Sequence, residues 1–396
     1  MFNVQEVRKD FPVLERVIYL DSAATTQTPV QVVEAITDYF LKYAGNYGRG
    51  AHRLARETTE KYEESRKIVA NFLGTEPKNI IFTRNATEAI NLVAYTLPWK
   101  KEDHIVTTLL EHHSNLIPWL RLKEKEGVRV SLVEPDPTGI LDPNKIAEAI
   151  TRDTKLVAVT HVSNVLGSIQ DITEITKISH EAGAMVLVDA AQSVGHMPVN
   201  VKEIGCDFLA AAGHKGMLGP QGTGVLYLKD PYSLTPLYLG GGTVSQVTSN
   251  SYALEPPPTC FEAGTPNIPG VIGLGRGVTY VQDIGIKKIE RHEKKLAEHA
   301  SKLLQSIPGV EVYGPTRNRA GVVSFNVQGL DSHDVAIILD ETRKICVRSG
   351  HHCAIPCIKL LKRDGTVRVS FALYNTREEV EILAEVIEQI STSLQA

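Results

Sequence analysis

Gly213-His214-Lys215 follows the strand-like run Asp207-Phe208-Leu209-Ala210-Ala211 and so places an amine at a strand end. A lysine held there can form a Schiff base with an aldehyde cofactor. Asp189 closes a second apolar run, Met185-Val186-Leu187-Val188. Pyridoxal phosphate needs both groups: an amine for its aldehyde, and a carboxylate that keeps the ring nitrogen protonated so that the ring can accept electrons. Either residue alone means little, because Asp after a strand is most often a helix cap and Lys in a Gly-rich turn is most often solvated. On consecutive strand ends the two together point to pyridoxal phosphate.

Three further stretches carry polar chemistry. Thr83-Arg84-Asn85-Ala86-Thr87-Glu88 turns from a strand into a helix, where free backbone N–H groups and the Thr87 hydroxyl make a phosphate seat. The plainer reading, compatible with the first, is a helix capped by Asn85 with Glu88 three residues on. Glu111-His112-His113 follows another strand, so an imidazole there can lie on a cofactor ring; Asn164 follows a third strand and can donate to a carboxylate or a ring hydroxyl. Arg348-Ser349-Gly350-His351-His352-Cys353, with Cys357 four residues later, allows three readings. Zinc binding is one, although adjacent ligands converge poorly on one ion. A buried small Cys353 is another. The favoured reading is an exposed nucleophile on a mobile loop, with the histidines and an arginine favouring thiolate.

The elements that must position these groups are legible as alternation. Seven β-rich runs, at 80–83, 105–108, 128–133, 156–160, 185–189, 207–211 and 225–228, are separated mostly by amphipathic stretches. Near-continuous apolar strands between helices predict an α/β fold with a mostly parallel sheet covered on both faces, with ligands at the carboxyl ends of its strands. Thr83, Thr108, Thr160, Asp189 and Lys215 all fall at such ends. The stretch Pro231 to Leu254 reads as loop, and Gly273 to Gly277 as close helix packing. Beyond residue 276 a long charged helix and the order strand, strand, helix, strand, strand, helix predict a smaller α/β domain. The expected division is 1–20 as a segment packing on the small domain, 21–275 as the large cofactor domain and 276–396 as the small domain with the Cys353 loop. The helix Val30 to Tyr43 is expected to join the small domain or to cover the site.

Composition limits the partners. The chain has 396 residues and a formal net charge of −4, which gives no electrostatic footprint for nucleic acid. No apolar stretch reaches the ~18 residues of a membrane span, and the first residues lack the core of a signal peptide. Five cysteines spread over this length fit free thiols in a reducing cytoplasm.

The order of motifs resembles one family along almost the whole chain: pyridoxal-phosphate-dependent cysteine desulfurases of the class V aminotransferase superfamily, in the SUF-type group (group II) with a short cysteine loop. The matching stretches are Tyr19-Leu20-Asp21-Ser22-Ala23-Ala24, Arg49-Gly50-Ala51-His52, Ala86-Thr87-Glu88, Glu111-His112-His113, Ser163 to Gly167, Asp189 to Ser193, Gly213-His214-Lys215, Phe261 to Pro266, Arg348 to Cys353, and Arg368 with Tyr374-Asn375-Thr376. The resemblance implies the fold called PLP fold type I, with Lys215 carrying the cofactor, Asp189 on the ring nitrogen, Gln192 on the ring hydroxyl and His112 stacked on the ring. It puts the phosphate at Ala86, Thr87 and His214, joined by Thr265 from the partner subunit of a homodimer. It puts the substrate L-cysteine at Arg368, Asn164, Arg348 and Ala23, and the transferred sulfur on Cys353, for delivery to an acceptor or scaffold protein in Fe-S cluster or other sulfur-cofactor assembly. This chain departs from the family's usual pattern at Ala86 and Ala212, which lack a hydroxyl, and at Gly48, where a histidine is frequent. The rival readings are a selenocysteine lyase or cysteine sulfinate desulfinase, another class V enzyme such as an epimerase or aminotransferase, and a non-catalytic metal or sulfur carrier built on His351, His352, Cys353 and Cys357.

Overall fold

The computed structural model describes residues 3–48 and 50–395; Arg49, quoted above, lies outside the described residues. The apolar runs assemble into a seven-stranded sheet in the order Ile80–Thr83, Gly224–Leu228, Phe208–Ala212, Met185–Asp189, Thr154–Thr160, His104–Thr108, Arg129–Val133. All neighbours pair in parallel except Gly224–Leu228, which is antiparallel to both of its own. A strand buried on both faces favours apolar residues throughout, which is why the inner runs show little alternation, whereas the edge strand Arg129–Val133 is only partly buried and mixes polar and apolar residues. One face packs Val157, Val159, Val186 and Val188 against the helices Arg53–Leu73 and Ile268–Ile284. The other packs Leu156, Leu187, Phe208 and Leu226 against Ala86–Thr96 and Ile117–Glu126.

Glycines 273–277 serve close packing, as expected. A Cβ on Gly275 would stand 2.7 Å from the Ser65 Cβ, and one on Gly277 would meet the Met217 carbonyl at 2.4 Å. The helix Ile268–Ile284 can therefore lie directly on its neighbours.

A second sheet has four antiparallel strands in the order Val310–Tyr313, Val322–Val327, Thr366–Ser370, Arg348–Gly350. Its apolar residues, among them Val323, Phe325, Val367 and Val369, form a separate core with residues of Ile286–Gln305, Ser332–Arg343 and Arg377–Gln395. Register matters here. Arg348 stands directly opposite Arg368, so both guanidinium groups project from one face. Like charges directly opposite each other destabilise a sheet, and this pair persists where a cavity needs positive charge.

Three expectations are corrected. The helix Val30–Asp38, with its π-turn Tyr39–Tyr43, neither joins the small sheet nor covers the site: it packs on Ile268–Ile284, and Tyr39 and Tyr43 enter the core of the large sheet. The long segment after residue 231 contains a hairpin, Val244–Val247 with Tyr252–Leu254, whose alternation is masked by the polar turn between them. The first strand after the middle helix of the small domain, expected as one run from Ile345 to Arg348, is two strands with different partners: Ile345–Cys346 pairs in parallel with Ile18–Tyr19, and Arg348–Gly350 pairs with Thr366–Ser370. No helix among the described residues is long and apolar enough to cross a membrane.

Candidate active site

The carboxyl ends of the large sheet and one edge of the small sheet enclose a cavity of about 270 Å³. Parallel pairing sets Thr160 beside Asp189 and Asp189 beside Ala210, so the turns that follow all open on the same side. Lys215, Asp189, Gln192, His112, Ala86, Thr87, His214, Asn164, Ala23, Arg348, Arg368 and Cys353 all line it. Of the residues expected to hold cofactor or substrate or to act on them, Thr265 lies elsewhere: it is exposed and lines a cleft with Tyr62, Phe82 and Glu262.

Burial sets the charge states. It lowers Lys215 to about 8, against the opposing pull of Asp189 and with the help of Arg368 and Arg348. An amine of that kind gives up its proton far more readily than an ordinary lysine, so a larger share of it is nucleophilic near neutral pH. Asp189 is raised above the ordinary carboxylate value by burial, opposed by the Ala191 N–H and Lys215; its Oδ1 accepts from Ala191 at 3.0 Å. A cation on a ring nitrogen beside it would restore the carboxylate. His112 falls to about 3, through burial and then Lys215, and His214 to about 4, through burial and then Lys215. Both rings are neutral, suited to stacking and hydrogen bonding rather than to carrying charge.

The end of the cavity expected to take the phosphate is a helix start. Asn85 Oδ1 accepts from Glu88 N–H at 2.9 Å, as the capping reading requires. Glu88 reaches back to the N–H of Arg84 rather than to that of the cap residue. The first N–H groups of Ala86–Thr96 have no partner within the helix, and Ala86 and Thr87 face the cavity. Thr87 Oγ1 and Ser114 Oγ are 2.7 Å apart, and Ser114 Oγ also lies 2.9 Å from His112 Nδ1. Ser114 thus stands among the phosphate residues where Ala86 and Ala212 offer no hydroxyl. The sequence reading missed it, although it lies two residues past His112.

Arg368 lies at the end of the cavity expected to take the substrate. It is buried; Nη1 donates to the Asn164 carbonyl at 3.1 Å and Nη2 to Asp21 Oδ1 at 2.8 Å, while its Nε–H has no partner. A buried unpaired donor costs about 1–3 kcal/mol, which an incoming carboxylate can recover. Asp21, inside a quoted motif yet given no role, is the group that orients this guanidinium. Gln192 Nε2 is taken by the Ala23 carbonyl at 2.8 Å, leaving its oxygen available. Glu111, behind His112, is buried and pushed up to about 8 by burial; it accepts from Thr108, Asn115 and the Thr160 N–H, and so ties the His112 turn to the sheet.

The cysteine segment is less exposed than expected. Residues 351–354 join the strand Arg348–Gly350 to the helix Ile355–Leu360, and Cys353 is half-buried. Arg348 Nη2 lies 3.6 Å from its Sγ. His352 is not the source of positive charge, because burial, then Arg368 and Arg348, hold it down to about 2; its Nε2 lies 2.8 Å from Thr366 Oγ1. Cys357 is buried in the helix, and burial pushes its thiol up to about 12. Among the described residues no cluster of three or more His, Cys, Asp or Glu side chains is arranged to hold a metal.

A buried amine, a buried carboxylate, a helix start lined with hydroxyls and an underused arginine define a site for pyridoxal phosphate and an amino acid. The chain belongs to the class V aminotransferase family, whose model matches residues 18–383. It is 50% identical over 394 residues to a probable cysteine desulfurase of Methanothermobacter thermautotrophicus, covering 98% of both chains. Its fold is similar to that of an apo cysteine desulfurase of Thermococcus onnurineus (TM-score 0.96, 50% identity, 98% of each chain). It is also similar to a cysteine desulfurase of Escherichia coli in its S-sulfonic acid form (TM-score 0.92, 34% identity, 100% of this chain and 99% of that one). Enzymes of this family work with pyridoxal phosphate, and the cavity residues fit that cofactor.

Proposed function

We infer that the chain is a cysteine desulfurase that converts L-cysteine to L-alanine and keeps the sulfur as a persulfide on Cys353. The observation that carries this reading is the Cys353 thiol beside Arg348, in one cavity with Lys215, Asp189 and Arg368. An aminotransferase or epimerase needs an amine and a carboxylate clamp, but neither chemistry calls for a thiol at the substrate.

Pyridoxal phosphate, when bound, supplies the electron sink for charge released at the substrate Cα. Asp189 would hold the proton at the ring nitrogen, and neutral His112 would cover the ring. Arg368 clamps the carboxylate with its planar fork. Lys215, whose burial eases loss of its own proton, would take the Cα proton. Cys353 Sγ then attacks the substrate sulfur: the S–S bond forms as the Cβ–S bond breaks, and the electron pair and a proton go to the carbon that becomes the alanine methyl. Feeding the holoenzyme cysteine in one turnover should yield one alanine and one protein-bound sulfur per site. Alanine without bound sulfur would sink the reading.

Arg368→Lys should raise the KM for cysteine roughly 30-fold, about 2 kcal/mol, because a point charge replaces a bidentate fork. The cofactor absorbance should not change. An unaltered KM would remove Arg368 from the substrate clamp.

The brevity of segment 351–354 supports the SUF-type group, with sulfur passed on to an acceptor or scaffold protein for Fe-S or other sulfur-cofactor assembly. The division at 20 and 275 is also part of this reading, although 275 lies inside the helix Ile268–Ile284. A cytoplasmic setting is supported by five free thiols. Thr265 is proposed to complete the phosphate site of a partner subunit. It is exposed, away from its own cavity, yet Glu262 anchors its segment through Arg66 at 2.7 Å and the Phe82 N–H at 2.8 Å. Thr265→Ala should weaken cofactor affinity about 10- to 100-fold, the worth of one hydrogen bond to a charged group. A yellow, active monomer in sedimentation would defeat this proposal.

A further inference from the structure

Cys353 sits in a turn that its own residues do little to hold. His352 and Cys353 are successive non-glycine residues in the left-handed region, with φ 53° and 56°. Such backbone persists only where the surroundings impose it. Inside the turn, Ala354 N–H donates to the His351 carbonyl at 2.9 Å. Other pins come from loops of the seven-stranded sheet. Asn164 Nδ2 donates to the His352 carbonyl at 2.7 Å. His113 acts twice: its backbone N–H donates to the Cys353 carbonyl at 2.7 Å, and its ring Nε2 accepts from the Ile355 N–H at 3.2 Å.

We propose that His113 is a positioning residue for sulfur transfer, gripping the chain on both sides of the nucleophile so that Sγ stays turned into the cavity. This rests on the reading of Cys353 as sulfur acceptor. The helix Ile355–Leu360 begins after Ala354, which has no side-chain acceptor to offer its first N–H groups. His113 supplies that acceptor from another part of the chain. A ring that accepts at Nε2 is neutral and carries its proton on Nδ1; burial, and then His351, hold His113 below the ordinary histidine value, in keeping with that state. Adjacent residues therefore serve the two halves of the reaction, His112 at the cofactor and His113 at the nucleophile.

The test compares His113→Leu, which removes the acceptor, with His113→Gln, which keeps one near the Nε2 position. The readouts are single-turnover loading of sulfur onto Cys353, cleavage of cysteine sulfinate (which needs no nucleophile), and alkylation of Cys353 by iodoacetamide without substrate. His113→Leu should load sulfur about 10-fold or more slowly, since small misplacements of reacting atoms carry penalties of that size. It should alkylate several-fold faster and cleave the sulfinate at the wild-type rate, and His113→Gln should recover most of the loading. Unchanged loading and alkylation in His113→Leu would overturn the proposal. So would equal losses on both substrates, equal losses in both variants, or loss of the cofactor, each of which would make His113 a general fold residue. Should the desulfurase reading itself fail, wild-type Cys353 would load no sulfur, whereas the alkylation comparison would still report on the turn.

Discussion

Lys215→Ala is expected to abolish turnover, lowering it by at least about 1,000-fold, because one side chain serves both as cofactor anchor and as proton carrier. The purified variant should lack the yellow absorbance of the wild type. Borohydride reduction of the wild type followed by peptide mapping should find the pyridoxyl group on Lys215. Burial brings this amine down to about 8, and the sign of the pH effect follows. Reconstitution of the apoenzyme needs the neutral amine, so its rate should climb as pH rises toward 8 and level off above it. A label on Lys229 or Lys359, or a reconstitution rate that falls over that range, would displace Lys215 from this role.

Cys353→Ser should separate the possible reactions of the site. The variant should keep its cofactor and bind cysteine, yet form alanine at least about 100-fold more slowly, because the sulfur has lost its acceptor. Selenocysteine and cysteine sulfinate carry leaving groups that depart without a nucleophile, so their cleavage should largely survive. Retained cysteine turnover would move the nucleophile to Cys357 or remove the persulfide step, and the double variant with Cys357→Ser tells these apart. Cys357→Ser alone should stay near wild type: the thiol is buried in the helix Ile355–Leu360, with burial pushing it up to about 12, and so it is neither accessible nor ionised at neutral pH.

Much of the large sheet was legible because its buried strands are short apolar runs, several of them ending at a polar residue. That pattern located Asp189, Thr160 and the turn into Lys215 at the same edge. The hairpin at 244–254 was not legible, since its strands are short, exposed and joined by Ser, Thr and Asn. Nor was the course of the helix Val30–Asp38: amphipathicity shows that a face is buried but not against what. The same holds for run 345–348, whose β-propensity cannot say that two halves pair with different strands.

At the site, residue types and their order along the chain pointed to the cofactor and singled out Lys215, Asp189 and Cys353, because these chemistries are carried by single side chains. What the chain order leaves open is everything that depends on two distant segments meeting. The register that sets Arg348 against Arg368 joins strands separated by a helix. Asp21 orients Arg368 across 347 positions of sequence. His352 is neutralised by burial, so that Arg348 supplies the positive charge beside the thiol. The Cys353 turn is held by Asn164 and His113 from the other sheet. Charge state and nucleophile position follow from desolvation and long-range hydrogen bonds, which only the packed tertiary structure creates.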